Sequence, residues 1–183
     1  MRELELSKKG KKNKGKYKAL VDDDIFDIVN SYSWTYLNTG YARNIKMNIQ
    51  LHVFIWNLKF GDIPDGYEIE HWDENGLNCQ ISNLRLATRS ENQCNITKQK
   101  NNKSGYKGIC KKIVKGHPRK DGTYKIYTKW YAGIIKDYGK KTEKRYAKTF
   151  DYTDKGLQEA IEWYKEKSLE LQGKFSIFNK PKK

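Results

Sequence analysis

The sequence is short of the residues that build covalent or metal frameworks. Its 183 residues include three cysteines, Cys79, Cys94 and Cys110, and three histidines. An odd number of widely spaced cysteines argues against a disulfide framework, and without a C-x-x-C pair no structural zinc site is expected. No apolar run reaches the length of a bilayer span, and the charged amino terminus lacks the apolar core of a signal peptide. Internal repeats are absent. These absences point to a soluble intracellular protein, placed in the cytoplasm or nucleoid of its host cell. Its core must draw on aromatic side chains, which are plentiful at 13 Tyr and 5 Trp and bury a large area each.

Charge is abundant and unevenly placed. The net charge is +15. Residues 1–20 carry 8 basic and 2 acidic side chains, whereas residues 21–95 carry 5 basic and 11 acidic. Residues 96–150 then hold 17 basic against 3 acidic, a local net of +14. Basic blocks of that density suit a phosphate backbone. An acidic module between them needs a different explanation, and a cation site supplies one.

Local pattern divides the chain into two α+β modules, residues 1–99 and 100–183. The alternation in RELEL predicts a short strand, followed by a Lys/Gly-rich basic arm. DDDIFDIVN predicts a helix, with Asp22 as its cap and Asp23 and Asp24 at the positive end of its dipole. Gly40 marks the turn of a hairpin between Trp34–Tyr36 and Tyr41–Ile45, and the apolar run LHVFIW comes next. A strand at Tyr67–His71, the polar loop WDENGLNCQIS, a strand at Leu84–Thr88 and a helix capped by Ser90 and running to about Gln99 complete the first module. In the second, KNNKSG reads as a linker. Three strands are expected at Tyr106–Ile113, Tyr124–Ile135 and Lys144–Phe150. A helix capped by Thr153 and ended by Gly173 follows, with Leu157, Ala160, Ile161, Tyr164, Ser168 and Leu171 on one face.

The segment YEIEHWDENGLNCQISNLRLATRSENQCN carries the chemistry. A strand–loop–strand–helix arrangement can bring Glu70, His71, Asn83 and Asn92 together. Glu70 and Asn92 offer hard oxygen ligands of the kind Mg²⁺ or Mn²⁺ prefers. A neutral imidazole at His71 can take a proton from attacking water. His52, inside an apolar run, reads first as a core histidine; Asn95 reads as an ordinary surface residue, and His117 has no visible role.

On the Glu70–His71 pair, the Asn83–Leu84–Arg85 triplet and Asn92, the segment resembles the HNH, or ββα-metal, nucleases in their phage and intron homing-endonuclease form. The Leu51–His52 pair and the ALVDDD segment resemble companions of that motif. One departure is Glu70, where the family usually has Asp. The resemblance implies His71 as general base, Glu70 and Asn92 as ligands of Mg²⁺ or Mn²⁺, and Asn83 as the residue that ties the loop beside His71. Further along, NKSGYKGI, KWYAGII, KRYAKTF and the segment from Gly173 to Asn179 resemble the plant APETALA/ethylene-response DNA-binding domain. That implies a three-stranded sheet packed on one helix, with double-stranded DNA contacted by Lys107, Lys111, Trp130, Lys144 and Tyr146. These positions hold Lys where the plant pattern is richer in Arg, which favours backbone grip over guanine readout. For Trp130 and Tyr146, packing within the sheet is an equal reading.

Together these features imply a metal-dependent endonuclease acting on double-stranded DNA, of a site-directed homing type. A catalytically inactive DNA-binding regulator on the same scaffold and an RNA binder are the competing readings.

Overall fold

Alternating apolar residues set the architecture, which was obtained as a computed structural model describing residues 1–7, 15–95 and 102–179. The chain is a mixed α/β protein that divides into two compact units, one spanning Met1–Asn92 and the other Gln93–Lys180.

In the first unit, β1 (Arg2–Glu5) pairs antiparallel with β2 (Lys18–Val21), burying Leu4, Ala19 and Val21. β2 was not expected from sequence, and most of the basic arm between these strands lies outside the described residues. A short 3-10 turn, Asp23–Ile25, leads into helix α1 (Phe26–Asn30). Asp22 makes no capping bond there. The hairpin strands are β3 (Thr35–Tyr36) and β4 (Ala42–Asn44), joined by β5 (Ile49–Gln50) in the order β3-β4-β5. Gly40 turns the hairpin at φ +91°, a backbone region that favours glycine.

The apolar run forms helix α2 (Leu51–Phe60), which buries Leu51, His52 and Ile55. Full burial of Leu51 and Ile55 stabilises the unit by about 1.5–3 kcal/mol each. β6 (Tyr67–His71) and β7 (Leu84–Thr88) pair antiparallel, with Glu70 opposite Arg85 and His71 opposite Leu84. Both strands have the bounds read from sequence. Helix α3 (Arg89–Asn95) follows; the expected continuation to Gln99 lies outside the described residues. Its start is fixed by Thr88 and Glu91 rather than by Ser90. The Glu91 carboxylate accepts from the Thr88 N–H and hydroxyl at 2.8 Å each, and the Thr88 hydroxyl accepts from the Glu91 N–H at 3.3 Å. This is a capping box, and Ser90 is buried inside the helix.

The second unit is a sheet in the order β10-β9-β8, built from β8 (Ile109–Pro118), β9 (Tyr124–Lys136) and β10 (Lys144–Asp151), with helix α4 (Asp154–Gln172) behind it. The Thr153 hydroxyl caps α4 by accepting from the Gly156 N–H at 3.0 Å. Ile109, Ala132, Ile134 and Phe150 pack with Ala160 and Tyr164 of the helix. Gly108 sits at φ +70°, and a Cβ there would come within 2.1 Å of the Tyr164 ring, so only glycine lets strand and helix approach this closely.

Candidate active site

The β6–β7 loop is held by the side chains that make its sequence polar. Asp73 is the hub: it accepts from the Asn75 N–H at 2.8 Å and from the side-chain amides of Asn78 and Asn83 at 2.9 Å each. Burial alone would raise the pKa of this carboxyl. The hydrogen bonds from Asn78, Asn75 and Asn83 outweigh it and hold the group below its ordinary value, so Asp73 stays ionised. Asn83 also donates to the Asn78 carbonyl at 2.8 Å and accepts from the Asp73 N–H at 3.1 Å, while its own carbonyl accepts from Trp72 N–H at 2.9 Å. Nearly all of its hydrogen-bonding capacity is spent inside the loop.

The loop is also joined to β2. Leu20 donates its N–H to the Leu77 carbonyl at 2.8 Å and accepts from the Cys79 N–H at 2.9 Å. The Asp22 carboxylate accepts from the Ile81 N–H at 2.7 Å and the Gln80 amide at 3.3 Å. Asp22 thus anchors this loop instead of capping a helix. Sequence reading missed the role because donor and acceptor lie almost sixty residues apart.

His71 closes β6 inside a cluster of rings. His52 of α2 stands at 4.7 Å between centroids and 77° between planes; Tyr41 lies 5.7 Å from His71 and 5.5 Å from His52. Both imidazoles are 5% exposed. Burial drives the pKa of His71 down to about 4, with the Asp73 charge opposing, and that of His52 down to about 3, with His71 adding to the fall. Both rings are therefore neutral near pH 7. Nδ1 of His52 is buried with no hydrogen-bond partner among the described residues. The core-histidine reading of His52 describes its burial and misses its place beside His71.

Glu70 is 3% exposed, and its carboxylate is paired with the Arg85 Nε. Asn92 donates to the Glu68 carboxylate at 3.0 Å. Glu68 and Glu70, two residues apart, lie on the same face of β6, so Asn92 reaches the face that carries Glu70, through a neighbour that the motif does not include. The Y-E-I-E alternation was the available signal. Oxygen donors of this kind match a hard divalent cation. No group of three His, Cys, Asp or Glu side chains among the described residues is arranged to hold an ion by itself. Asn95 is buried, contrary to its surface reading.

In the second unit the strand register separates the expected DNA contacts from the open side of the sheet. Trp130 lies opposite Lys111, Tyr146 opposite Ile134, and Lys144 opposite Lys136. Alternation puts Lys111, Trp130, Lys144 and Tyr146 on the side of Ala132 and Ile134, which is packed against α4. The Trp130 indole N–H donates to the Thr153 carbonyl at 3.1 Å, and Tyr146 packs on the same core. Lys107 donates to the Gln93 and Cys94 carbonyls at 3.2 and 2.8 Å. Lys111 and Lys144 remain exposed at the margin of that side. The opposite side presents Lys112, Tyr127, Lys129, Tyr131 and Arg145, with the Lys112 ammonium 4.6 Å from the Tyr131 ring centre.

Comparison with known proteins defines the class to which this loop and its flanking strands belong. The HNH endonuclease family model matches residues 50–94, from the residue before α2 almost to the end of α3, so the chain carries an HNH endonuclease domain. HNH nucleases generally act with a divalent metal ion. The chain belongs to the same family as Protein 3.8 of Escherichia phage T7, with 30% identity over 127 residues, 69% of this chain and 88% of that protein. It is also 37% identical over 106 residues to an uncharacterized HNH endonuclease of Acanthamoeba polyphaga mimivirus, covering 57% of this chain and 56% of that protein. No solved structure matches. No helix is long and apolar enough to cross a membrane among the described residues.

Proposed function

We propose that the protein is a Mg²⁺- or Mn²⁺-dependent endonuclease of double-stranded DNA, of the site-directed homing type, with a ββα-metal catalytic centre. The observation that carries this reading is the buried, neutral His71 ring at the end of β6, next in sequence to Glu70, inside the segment matched by the HNH endonuclease model.

His71 accepts the proton of the water that attacks the scissile phosphodiester. An imidazole held neutral by burial is ready to do so at pH 7, and a nearby phosphate charge favours the imidazolium that results. Glu70 and Asn92 would hold the divalent ion, which when bound supplies positive charge at the phosphate and its leaving 3′ oxygen. Arg85 orients the Glu70 carboxylate through its Nε, and Asn83 fixes the loop that follows His71.

The second unit resembles an APETALA/ethylene-response module and grips duplex DNA. In this reading its contacts lie on the side bearing Lys112, Lys129, Tyr131 and Arg145, opposite the side packed against α4, with Lys111 and Lys144 reaching phosphates from the margin and Trp130 and Tyr146 supporting the sheet from behind. Lys107, bonded to backbone carbonyls, contributes by fixing the start of the unit.

The test is conversion of supercoiled plasmid with Mg²⁺, with Mn²⁺ and with a chelator. Metal-dependent nicking or linearisation that is lost in His71→Ala is expected. A pure protein that binds duplex DNA but never cuts it under any of these conditions would instead identify a DNA-binding regulator.

A further inference from the structure

An asparagine can hold a hard cation through one atom only. Its amide oxygen accepts and its amide nitrogen donates, so an asparagine that serves a cation must be turned with the oxygen towards it. The two ends of the amide are nearly alike in size, and the backbone of α3 does not distinguish them. A partner for one end must make the choice, and β6 supplies such a partner.

The Y-E-I-E alternation sends Glu68 and Glu70 to one face of that strand. Their cross-strand neighbours differ. Glu70 stands opposite Arg85 and pairs with it, whereas Glu68 stands opposite Ala87, whose methyl group offers no bond. The Glu68 carboxylate is met instead by the side-chain nitrogen of Asn92 at 3.0 Å. Among the described residues this is the one hydrogen bond that either side chain makes. With the nitrogen engaged, the oxygen is the end of the amide left over. The capping box of Thr88 and Glu91 already holds the backbone one residue before Asn92, so the bond to Glu68 has only the side-chain torsions of Asn92 left to fix.

We propose that Glu68 is a positioning residue for the divalent ion: it holds the Asn92 amide by its nitrogen and so presents the amide oxygen as a ligand. The inference rests on the reading of Asn92 as a metal ligand. Glu68 acts on the ligand and does not touch the ion, as outer partners do in metal sites generally. The bond requires an acceptor oxygen at residue 68 and not a charge. Glu68 lies at the surface of the unit, where exchanging its side chain leaves the core untouched.

The test is Mn²⁺ binding to the full-length protein without DNA, followed by the electron paramagnetic resonance signal of the free ion, so that cleavage plays no part in the readout. Glu68→Ala should weaken binding on the order of 10-fold, the lower end of what losing an orienting partner costs. Glu68→Gln keeps an acceptor oxygen without the charge and should keep most of the affinity. Asn92→Ala should weaken binding at least as much as Glu68→Ala. Adding Glu68→Ala to Asn92→Ala should cost nothing further, because Glu68 then has no amide to hold. A Glu68→Gln variant that binds as weakly as Glu68→Ala would show that the charge acts, and additive losses in the double variant would show that Glu68 acts on the ion directly. Either result overturns the proposal, as does unchanged binding by Glu68→Ala beside a loss in Asn92→Ala. Wild-type protein that takes up no Mn²⁺, or an Asn92→Ala variant that binds it as tightly as the wild type, overturns the reading of Asn92 as a ligand, and the inference with it.

Discussion

The two units treat polar side chains in opposite ways. The first takes them inside: Glu70, His71, His52, Asn83 and Asn44 are all buried, and most are tied to partners across the β6–β7 loop or its neighbouring strands. Among its described residues the second buries only Asn95, Ser168 and Ser176, the two serine hydroxyls meeting at 2.8 Å, and keeps its lysines and arginines outside. Burying a polar group is costly unless its bonds are remade, so the first unit accepts that cost in exchange for one fixed arrangement. Bond hydrolysis needs such an arrangement, because a general base must meet its proton within hydrogen-bonding reach. Holding a phosphate backbone does not, because ammonium groups attract it from many positions. The contrast teaches which unit should be sensitive to small changes in shape and which to changes in charge.

The largest effect should come from the base. His71→Ala is expected to lower the cleavage rate on the order of 100- to 10,000-fold while leaving DNA affinity nearly intact; single-turnover kinetics and gel shifts on the same preparation check it. If affinity falls in step with rate, the separation between the units breaks down. Next comes the proposed metal site. Glu70→Ala should cost on the order of 100-fold in rate, whereas Glu70→Asp, which keeps the charge, should retain much of the activity. An inert Asp variant beside an active Ala variant would remove Glu70 from the metal site.

Acid should sharpen the contrast. His52 and His71 have folded pKa values depressed to about 3 and about 4 from 6.5. The unfolded chain therefore binds protons that the folded unit refuses. The stability this gives is fully present above pH 6.5 and is lost as pH falls towards 4. The slope is about 1.4 kcal/mol per pH unit for each histidine. Thermal unfolding followed from about pH 7 to about pH 4.5 should show the first unit losing stability first, and His52→Phe should roughly halve the slope. A pH-independent transition would contradict the burial of these rings.

The smallest effect concerns charge. Replacing Lys112 and Arg145 with Ala should reduce the log–log salt slope of DNA binding by about 0.9 for each phosphate no longer neutralised, with no change in cleavage rate at saturating DNA. Lys107→Ala should matter less for the slope, since that ammonium already holds two carbonyls.

Much of this was legible in the sequence, and the exceptions have a common physical origin. β6, β7, β9 and α4 show in the apolar spacing because each repeats its own period over five or more residues. β2 does not, since KALV is short and takes part of its pairing from a loop far along the chain. The Thr88–Glu91 box was present as T-R-S-E, and the serine inside it drew attention away. Glu70, His71, Asn83 and Asn92 are grouped by their spacing and their resemblance to the HNH motif; that Asn92 bonds to Glu68, that His52 stands against His71 and that Cys79 faces Nε2 are facts of packing with no local pattern. The side of the sheet on which Trp130 and Tyr146 lie depended on register, and a shift of one residue exchanges the two faces.

The pairing of Leu20 with the β6–β7 loop, and of Asp22 with Ile81, bears on how this HNH domain could be moved between proteins. The recognisable HNH stretch begins at residue 50, yet the backbone that holds Cys79 in place comes from residue 20. A chimaera assembled by grafting residues 50–94 alone would carry every residue of the signature and leave behind the strand against which its loop is set. The smallest transplantable cassette therefore begins at β1, well ahead of the first residue of the motif.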